Sequence, residues 1–286
     1  MRVAETPIVR VPASSANLGA GFDVLGLALD LYLDVGVGDV ADGAQRIDAH
    51  HPAAKAFAAA GGADGAPIWL HSAIPMGRGL GFSGAAHVGG AALAAAVGAD
   101  DPDAAVAAGR DEILEIAARL EGHGDNAAAS VFGGVVAWVG GRALPLRIGP
   151  TLGSASVVTW IPDTTTSTDR SRRALPDQFD RVDVVNNLGR IAQLVLAVEH
   201  DDPTLLAGAT DDRLHQRVRL PQVPGAGDAL DAGVAAGAWC GWLSGSGPTV
   251  ALLTDAAAAD AVTAALPGSG HVKRLRIAQR GAHLAS

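Results

Sequence analysis

The chain has 286 residues, 49% of them hydrophobic, which is enough to bury one large core or two modest ones; this argues against disorder and for two domains of ordinary size. Its formal charge of -9 argues against a nucleic-acid or anionic-membrane surface, because counterion release needs clustered Lys and Arg and no such cluster occurs. A single cysteine, Cys240, permits no internal disulfide and, without a Cys/His ligand set, no structural zinc site, so it reads as a core residue. Residues 1–10 hold no apolar run of signal-peptide length, and no later run reaches the roughly 18 apolar residues of a membrane span, so a cytoplasmic location is expected.

In chain order, residues 8–11 form a short β-branched run that Pro12 is expected to end, followed by a small, polar loop over residues 13–21. Residues 31–40 alternate like a half-buried strand, residues 41–65 give no clear pattern, and residues 68–71 read as another strand. Two helices are expected next, over residues 83–97 and 103–120, the second with Ile113, Leu114, Ile116, Ala117 and Leu120 at helical spacing. Strands over 133–139 and 156–160 flank a glycine-bounded connection, which suggests a boundary near residue 150 and domains of 1–150 and 151–286. The second half reads as helices near 182–199, 203–209 and 228–236, strands near 238–243, 249–253 and 272–277, and a helix over 256–266. Interleaved strands and helices in both halves point to α+β or α/β layers.

The strongest chemical signal runs Pro75, Met76, Gly77, Arg78, Gly79, Leu80, Gly81, Phe82, Ser83, Gly84, Ala85, Ala86, four glycines and a serine opening a helix. Glycine lets a backbone approach an anion, and the amides and dipole of a helix N-terminus favour phosphate, so the segment reads as a phosphate cradle. It lacks the Gly-Lys-Ser/Thr ending of a Walker loop, and by itself it reads more readily as a plain turn joining strand to helix. The run Leu243, Ser244, Gly245, Ser246, Gly247, Pro248 alone reads as a hairpin connection.

Taken together, residues 12–26, 75–86 and 243–248 resemble the three motifs of the GHMP kinases, in that family's order. Further segments resemble the homoserine kinases among them: Asn17 with Gly21, Phe22 and Asp23; Glu121 through Asn126; Ser167 and Thr168 with Arg172; and Asp212 through Gln216 with Arg219. The resemblance implies a two-domain α+β fold, with an S5-like N-terminal domain and a ferredoxin-like C-terminal domain, that uses ATP and Mg²⁺ to phosphorylate a small alcohol, homoserine first. It implies that Pro75, Gly77, Arg78, Gly79, Leu80, Gly81, Phe82, Ser83, Gly84 and Ala85 bind the nucleotide. Asn17, Asp23 and His123 would hold the amino and hydroxyl ends of the amino acid and Arg172 and Arg219 its carboxylate, a sensible division since Arg offers a planar fork to carboxylates. For the metal, Ser83 is expected to pair with a glutamate; Glu115 is chosen by its distance from His123, with Glu112 and Glu121 as competitors. Asn126 would stand where relatives with a general base carry aspartate, Asp125 would orient the loop, and Arg78 would help stabilise developing charge. A homodimer is implied by the resemblance alone.

The chain also departs from the pattern: Phe82-Ser83 replaces a double serine, Gly84 replaces an alanine, residues 41–65 hold no asparagine for the adenine pocket, Gly124 replaces a common proline, and Arg217-Val218 replaces Pro-Tyr beside Arg219. Two alternatives therefore stand beside homoserine: a GHMP kinase for another small alcohol (a cyclitol, sugar or hydroxy acid), and an inactive ligand-binding relative.

Overall fold

The computed structural model describes residues 6–285, so the reading of residues 1–10 falls in part outside the described residues. In order, the N-terminal half contains β1 (Ile8–Ala16), β2 (Leu25–Val37), β3 (Gln45–Arg46), α1 (Pro52–Ala59), β4 (Ile68–Ser72), α2 (Phe82–Ala96), α3 (Pro102–Ala108), α4 (Arg110–Glu121), α5 (Asp125–Phe132), β5 (Val135–Val139) and β6 (Arg142–Leu146). There follow α6 (Pro150–Gly153), β7 (Ser156–Ile161), α7 (Thr168–Arg173), α8 (Arg181–Glu199), α9 (Gln216–Arg219), α10 (Ala226–Ala235), β8 (Cys240–Leu243), β9 (Val250–Thr254), α11 (Ala259–Ala265), β10 (His271–Arg276) and β11 (His283–Leu284).

The first sheet has the antiparallel order β11-β1-β2-β4-β3, and the far edge of β2 is shared between β4 at residues 33–37 and the β5–β6 hairpin at residues 25–27. Pro12 does not end β1. The register shifts between Pro12 and Ala13, and a bulge tolerates a residue without an N–H, so the strand runs on to Ala16 and delivers Asn17 beyond its end. α2 crosses β1 and β2 between α1, α4 and α5. Its buried face is mostly alanine and glycine, and a Cβ on Gly90 would collide with the backbone of Ala53, so small residues set how closely α1 and α2 approach.

The second sheet, β10-β7-β9-β8, is antiparallel throughout. Along β7 the period-2 alternation divides two cores: Val158 and Trp160 pack with Val250, Leu252 and residues of α10 and α11, while Val157 and Ile161 join the core that runs on into the first sheet. Strands of the first sheet end at Leu146 and those of the second begin at Ser156, but β11 returns to β1, a crossing that a cut at residue 150 does not include.

Other differences have local causes. The helix expected over residues 103–120 is two, because Gly109 closes α3, which the Asp101 side chain caps at Ala104 N with Pro102 in the first turn. The unassigned residues 41–65 contain β3 and α1, the supposed connection 140–149 contains β6, and α5 follows the left-handed Gly122. Residues 203–209 form only a 3₁₀ turn, Pro203–Leu206. Among the described residues, no helix is long and apolar enough to cross a membrane.

Candidate active site

The three glycine-rich segments, far apart in sequence, are bonded into one floor. Ser244 Oγ donates to Gly79 O (2.6 Å), Thr249 Oγ1 to Arg78 O (2.6 Å), Gly245 N to Ala16 O (3.1 Å) and Ser14 N to Leu80 O (3.2 Å). Ser15 Oγ lies 2.7 Å from Ser244 Oγ and accepts from Trp242 Nε1 (2.9 Å). Gly79, at φ 73°, could not be another residue without its Cβ overlapping the carbonyls of Ser244 and Gly247. Asn17 takes φ 75° and Asp23 φ 56°, conformations that Asn and Asp accept more readily than most, and Asn17 locks the turn by donating to Gly245 O (2.8 Å) and accepting from Asp23 N (3.1 Å).

Above this floor lies a cleft lined by Asn17, Asp23, Pro75, Gly77, Arg78, Gly79, Leu80, Gly81, Phe82, Ser83, His123, Asp125, Asn126, Arg172 and Arg219. All the residues expected to bind substrate therefore share one cavity, and of the expected nucleotide segment only Gly84 and Ala85 are one layer back, in the first turn of α2. That helix begins at left-handed Gly81 with neither a side-chain cap nor an acidic residue in its first turn, so its leading amides have no acceptor within the helix. The arrangement suits an anion. Arg78 lines the same end, its guanidinium held by Asp163 O at 2.8 Å.

The expected pairing of Ser83 with Glu115 does not form. Glu115 is exposed on α4, as is Glu112, whereas Ser83 Oγ donates to Glu121 Oε2 at 2.7 Å. The same carboxylate oxygen is bonded by His87 Nδ1 at 2.8 Å. Burial alone would raise the pKa of Glu121, but the bonds from His87 and Ser83 overcome it and leave the carboxylate below its ordinary value. The reason for the change of residue is helical phase. Glu121 follows the buried Leu114 and Ala117 by seven and four positions and shares their face, while Glu115 points the other way.

His123 and Asp125 form a buried pair at 2.7 Å, and the same Asp125 oxygen accepts from Asn126 N (2.8 Å). Burial would depress His123, yet the Asp125 hydrogen bond and charge prevail and raise its pKa. Asn126 Oδ1 in turn accepts from Ser14 Oγ at 2.9 Å, which fixes its amide against β1.

Arg172 and Asp23, expected on opposite ends of a substrate, here hold each other: Nη1 and Nη2 donate to the two carboxylate oxygens at 2.9 and 2.7 Å. Arg219 is different. It is 3% exposed, its Nε has no hydrogen-bond partner among the described residues, and burial pulls its pKa down to about 10. It lies 5.2 Å over the Phe22 ring, which itself stacks on His215 at 4.9 Å. His215 Nε2 sits 3.0 Å from Gly19 O, a contact that needs a proton on Nε2, so Nδ1 keeps a lone pair toward Arg219 Nη1 at 3.4 Å. Burial holds that imidazole neutral, its pKa lowered. Buried Asp212, accepting from the amides of Leu214, His215 and Gln216, fixes the turn that carries His215 and Arg219.

Sequence reasoning missed Ser14, His87, Thr166 and Ser246. Thr166 and Ser246 line the cleft, and Ser246 meets Thr168 Oγ1 (3.3 Å) and accepts through its carbonyl from Ser171 Oγ (3.1 Å). His87 was legible in principle, since it lies four residues after Ser83 on the same helix face.

With this geometry in hand, the chain matches the GHMP kinases N terminal domain over residues 47–134 and the GHMP kinases C terminal domain over residues 194–272. It is 42% identical over 296 residues to the homoserine kinase of Streptomyces avermitilis, covering 96% of this chain and 94% of that one. The chain belongs to the homoserine kinase family. It is also 39% identical over 263 residues to the homoserine kinase of Moorella thermoacetica, with 85% and 86% covered. A solved structure of homoserine kinase from Cytophaga hutchinsonii superposes with a TM-score of 0.82 over 100% of this chain and 99% of that one, at 23% identity, which shows the shared fold. The two-domain α+β architecture is that of the GHMP kinases.

Proposed function

We propose that this protein transfers the γ-phosphoryl group of ATP to the side-chain hydroxyl of L-homoserine, giving O-phospho-L-homoserine and ADP. The single observation that carries the reading is one cleft with a glycine loop and uncapped helix N-terminus at one side and Arg172, Asp23 and the buried, partly unpaired Arg219 at the other. A triphosphate fits the first and a zwitterionic amino acid the second.

The reading assigns little covalent chemistry to the protein. Each carboxylate lining the cleft is already committed: Asp23 to Arg172, Asp125 to His123 and the Asn126 amide, Glu121 to Ser83 and His87. Direct attack follows. The hydroxyl oxygen bonds to the γ-phosphorus as the bond to the ADP oxygen breaks, and the hydroxyl proton leaves to a phosphate oxygen or water. Alignment supplies most of the acceleration, through Asn126 held by Ser14 and through the amides of the glycine loop, with Arg78 stabilising developing charge.

The hydroxyl of Ser83 and carboxylate of Glu121 are hard oxygen donors 2.7 Å apart, and among the described residues no group of three or more His, Cys, Asp or Glu side chains forms a metal cage. Such a donor set fits Mg²⁺, which keeps waters and phosphate oxygens as its other ligands. When bound there it would neutralise charge on the β- and γ-phosphates. A cytoplasmic homodimer completes the reading.

The test is ADP release with MgATP and L-homoserine, L-threonine, L-serine, pantoate, mevalonate, sugars and cyclitols in parallel. Turnover confined to homoserine, and lost in Ser83→Ala and Arg172→Ala, is expected. Turnover on another alcohol alone would keep the kinase and discard the substrate, and none on any would overturn the reading.

A further inference from the structure

The buried residues of α2 are glycine, alanine, valine and leucine with one exception, His87, which is 6% exposed. Its ring meets the carboxylate of Glu121, at the end of α4, with 2.8 Å between Nδ1 and Oε2. An ionised carboxylate can only accept, so Nδ1 carries the proton and donates it.

Stability alone does not account for the pair. Glu121 is the last residue of α4, at the negative end of that helix's dipole, and only 13% of its side chain is exposed. A buried His–Glu pair seldom stabilises more than apolar side chains of the same volume, and the neighbours of His87 along α2 are apolar. Two such side chains would join α2 to α4 at least as well.

The distribution of bonds points to another role. Both donors, Ser83 Oγ at 2.7 Å and His87 Nδ1 at 2.8 Å, sit on the same oxygen, Oε2. Oε1 has no hydrogen-bond partner among the described residues, yet it is not a sealed orphan, and Glu121 lines the cleft. His87 itself lies outside that lining. A serine hydroxyl rotates to suit its partners, whereas an imidazole packed between helices keeps one direction. Ser83 can therefore turn a lone pair toward the cleft without releasing Glu121, because the imidazole still holds it.

We propose that His87 is a positioning residue: by holding Oε2 it fixes the Glu121 carboxylate so that Oε1, with Ser83 Oγ, is presented to the divalent cation that accompanies the nucleotide. This role depends on Ser83 and Glu121 holding Mg²⁺ as proposed above, and it adds a residue that touches neither metal nor substrate. Partners of this kind orient the groups that do the binding.

Calorimetric titration with the β,γ-methylene analogue of ATP, once with Mg²⁺ and once in EDTA, tests it without turnover. The variants are His87→Leu, His87→Asn, Glu121→Gln and the double variant of Leu and Gln. Loss of an outer-shell partner costs about 10–100-fold in metal affinity, so His87→Leu should weaken binding of the Mg²⁺ complex by at least about 10-fold. Its affinity in EDTA should stay within about 2-fold of wild type, which a general disturbance of the fold would not allow. His87→Asn puts an amide N–H where Nδ1 stood and should restore most of the loss. In the Glu121→Gln background His87→Leu should add less than about 2-fold, since no charged ligand is left to position. Should His87→Leu fail to fold, His87→Ala, on a helix already rich in alanine, takes its place with the same expectations. Wild-type affinity in the Leu or Ala variant, with Glu121→Gln weakened, would overturn the role of His87 alone. A loss that also appears in EDTA, that persists in Glu121→Gln or that Asn does not recover would make His87 a packing residue and overturn it too. If Glu121→Gln binds the Mg²⁺ complex as wild type does, the metal reading fails and the role of His87 with it.

Discussion

The replacement of Glu115 by Glu121 as partner of Ser83 makes a sharp experiment of two isosteric substitutions, Glu121→Gln and Glu115→Gln. In Glu121→Gln the amide oxygen can still accept from Ser83 and the geometry to His87 survives, so stability should change by only about 1 kcal/mol. Its lost charge matters in the reaction. On the proposed reading this carboxylate acts through the Mg²⁺ it would hold, and losing such support for developing phosphate charge costs about 3–4 kcal/mol, so kcat/KM should fall by about 10²–10³. The Mg²⁺ concentration giving half-maximal rate should rise with it. Glu115 is exposed and has no hydrogen bond to lose, so its variant should stay within about 0.5 kcal/mol in stability and match wild type in rate. Coupled ADP release across a Mg²⁺ titration reads both. Loss of activity in Glu115→Gln with retention in Glu121→Gln would refute the assignment and the helical-phase argument behind it.

Arg219→Met should leave the melting temperature unchanged or raise it, since it removes a buried guanidinium whose Nε is unpartnered; kcat/KM for homoserine should fall about 10–100-fold from the lost charge-assisted contact, and a lower melting temperature with normal kinetics would make the residue merely structural. Gly79→Ala, at φ 73° against the Ser244 carbonyl, should cost more than about 1 kcal/mol in urea unfolding and weaken ATP binding. His123 is raised in the fold, so its pairing with Asp125 stabilises fully below the unfolded-state value near 6.5 and the increment disappears as pH rises through the folded value. Asp125→Asn should therefore lose most stability at acidic pH, with the gap to wild type narrowing in alkaline buffer, and the His123 ring resonance should titrate at lower pH.

How far the sequence leads depends on the range of the interactions involved. The glycine turn at the mouth of α2 was legible because its backbone conformation is local, but its joining with residues 14–16 and 244–249 into one floor is non-local, and only the family resemblance grouped the three segments. The return of β11 to β1 was not legible, since a two-residue strand carries no periodic signal and its place is set by tertiary contact. Pro12 misled because a proline ends a strand by rule unless the partner strand slips, and the slip lies in β2. Glu121 lay within reach, since the Leu114–Ala117 phase selects it, whereas distance along the chain from His123 does not. The mutual hold of Arg172 and Asp23 was beyond sequence reasoning, because 149 positions separate them and each has an equally good use toward a ligand.

That hold also bears on the choice of substrate. Both side chains are about one-third exposed, so screening leaves the pair worth on the order of 1 kcal/mol or less, and opening it is cheap. On the proposed reading, an amino acid brings an ammonium for Asp23 and a carboxylate for Arg172, exchanging one ion pair for two. A neutral alcohol such as a sugar or cyclitol could open the pair only by leaving both charges unmatched, and a hydroxy acid would satisfy Arg172 and strand Asp23. The adjoining Arg219, already buried without a partner for Nε, adds to the preference for a carboxylate. On that reading, discrimination among small alcohols would follow from two opposite charges that hold each other in this structure and that a zwitterion would satisfy separately.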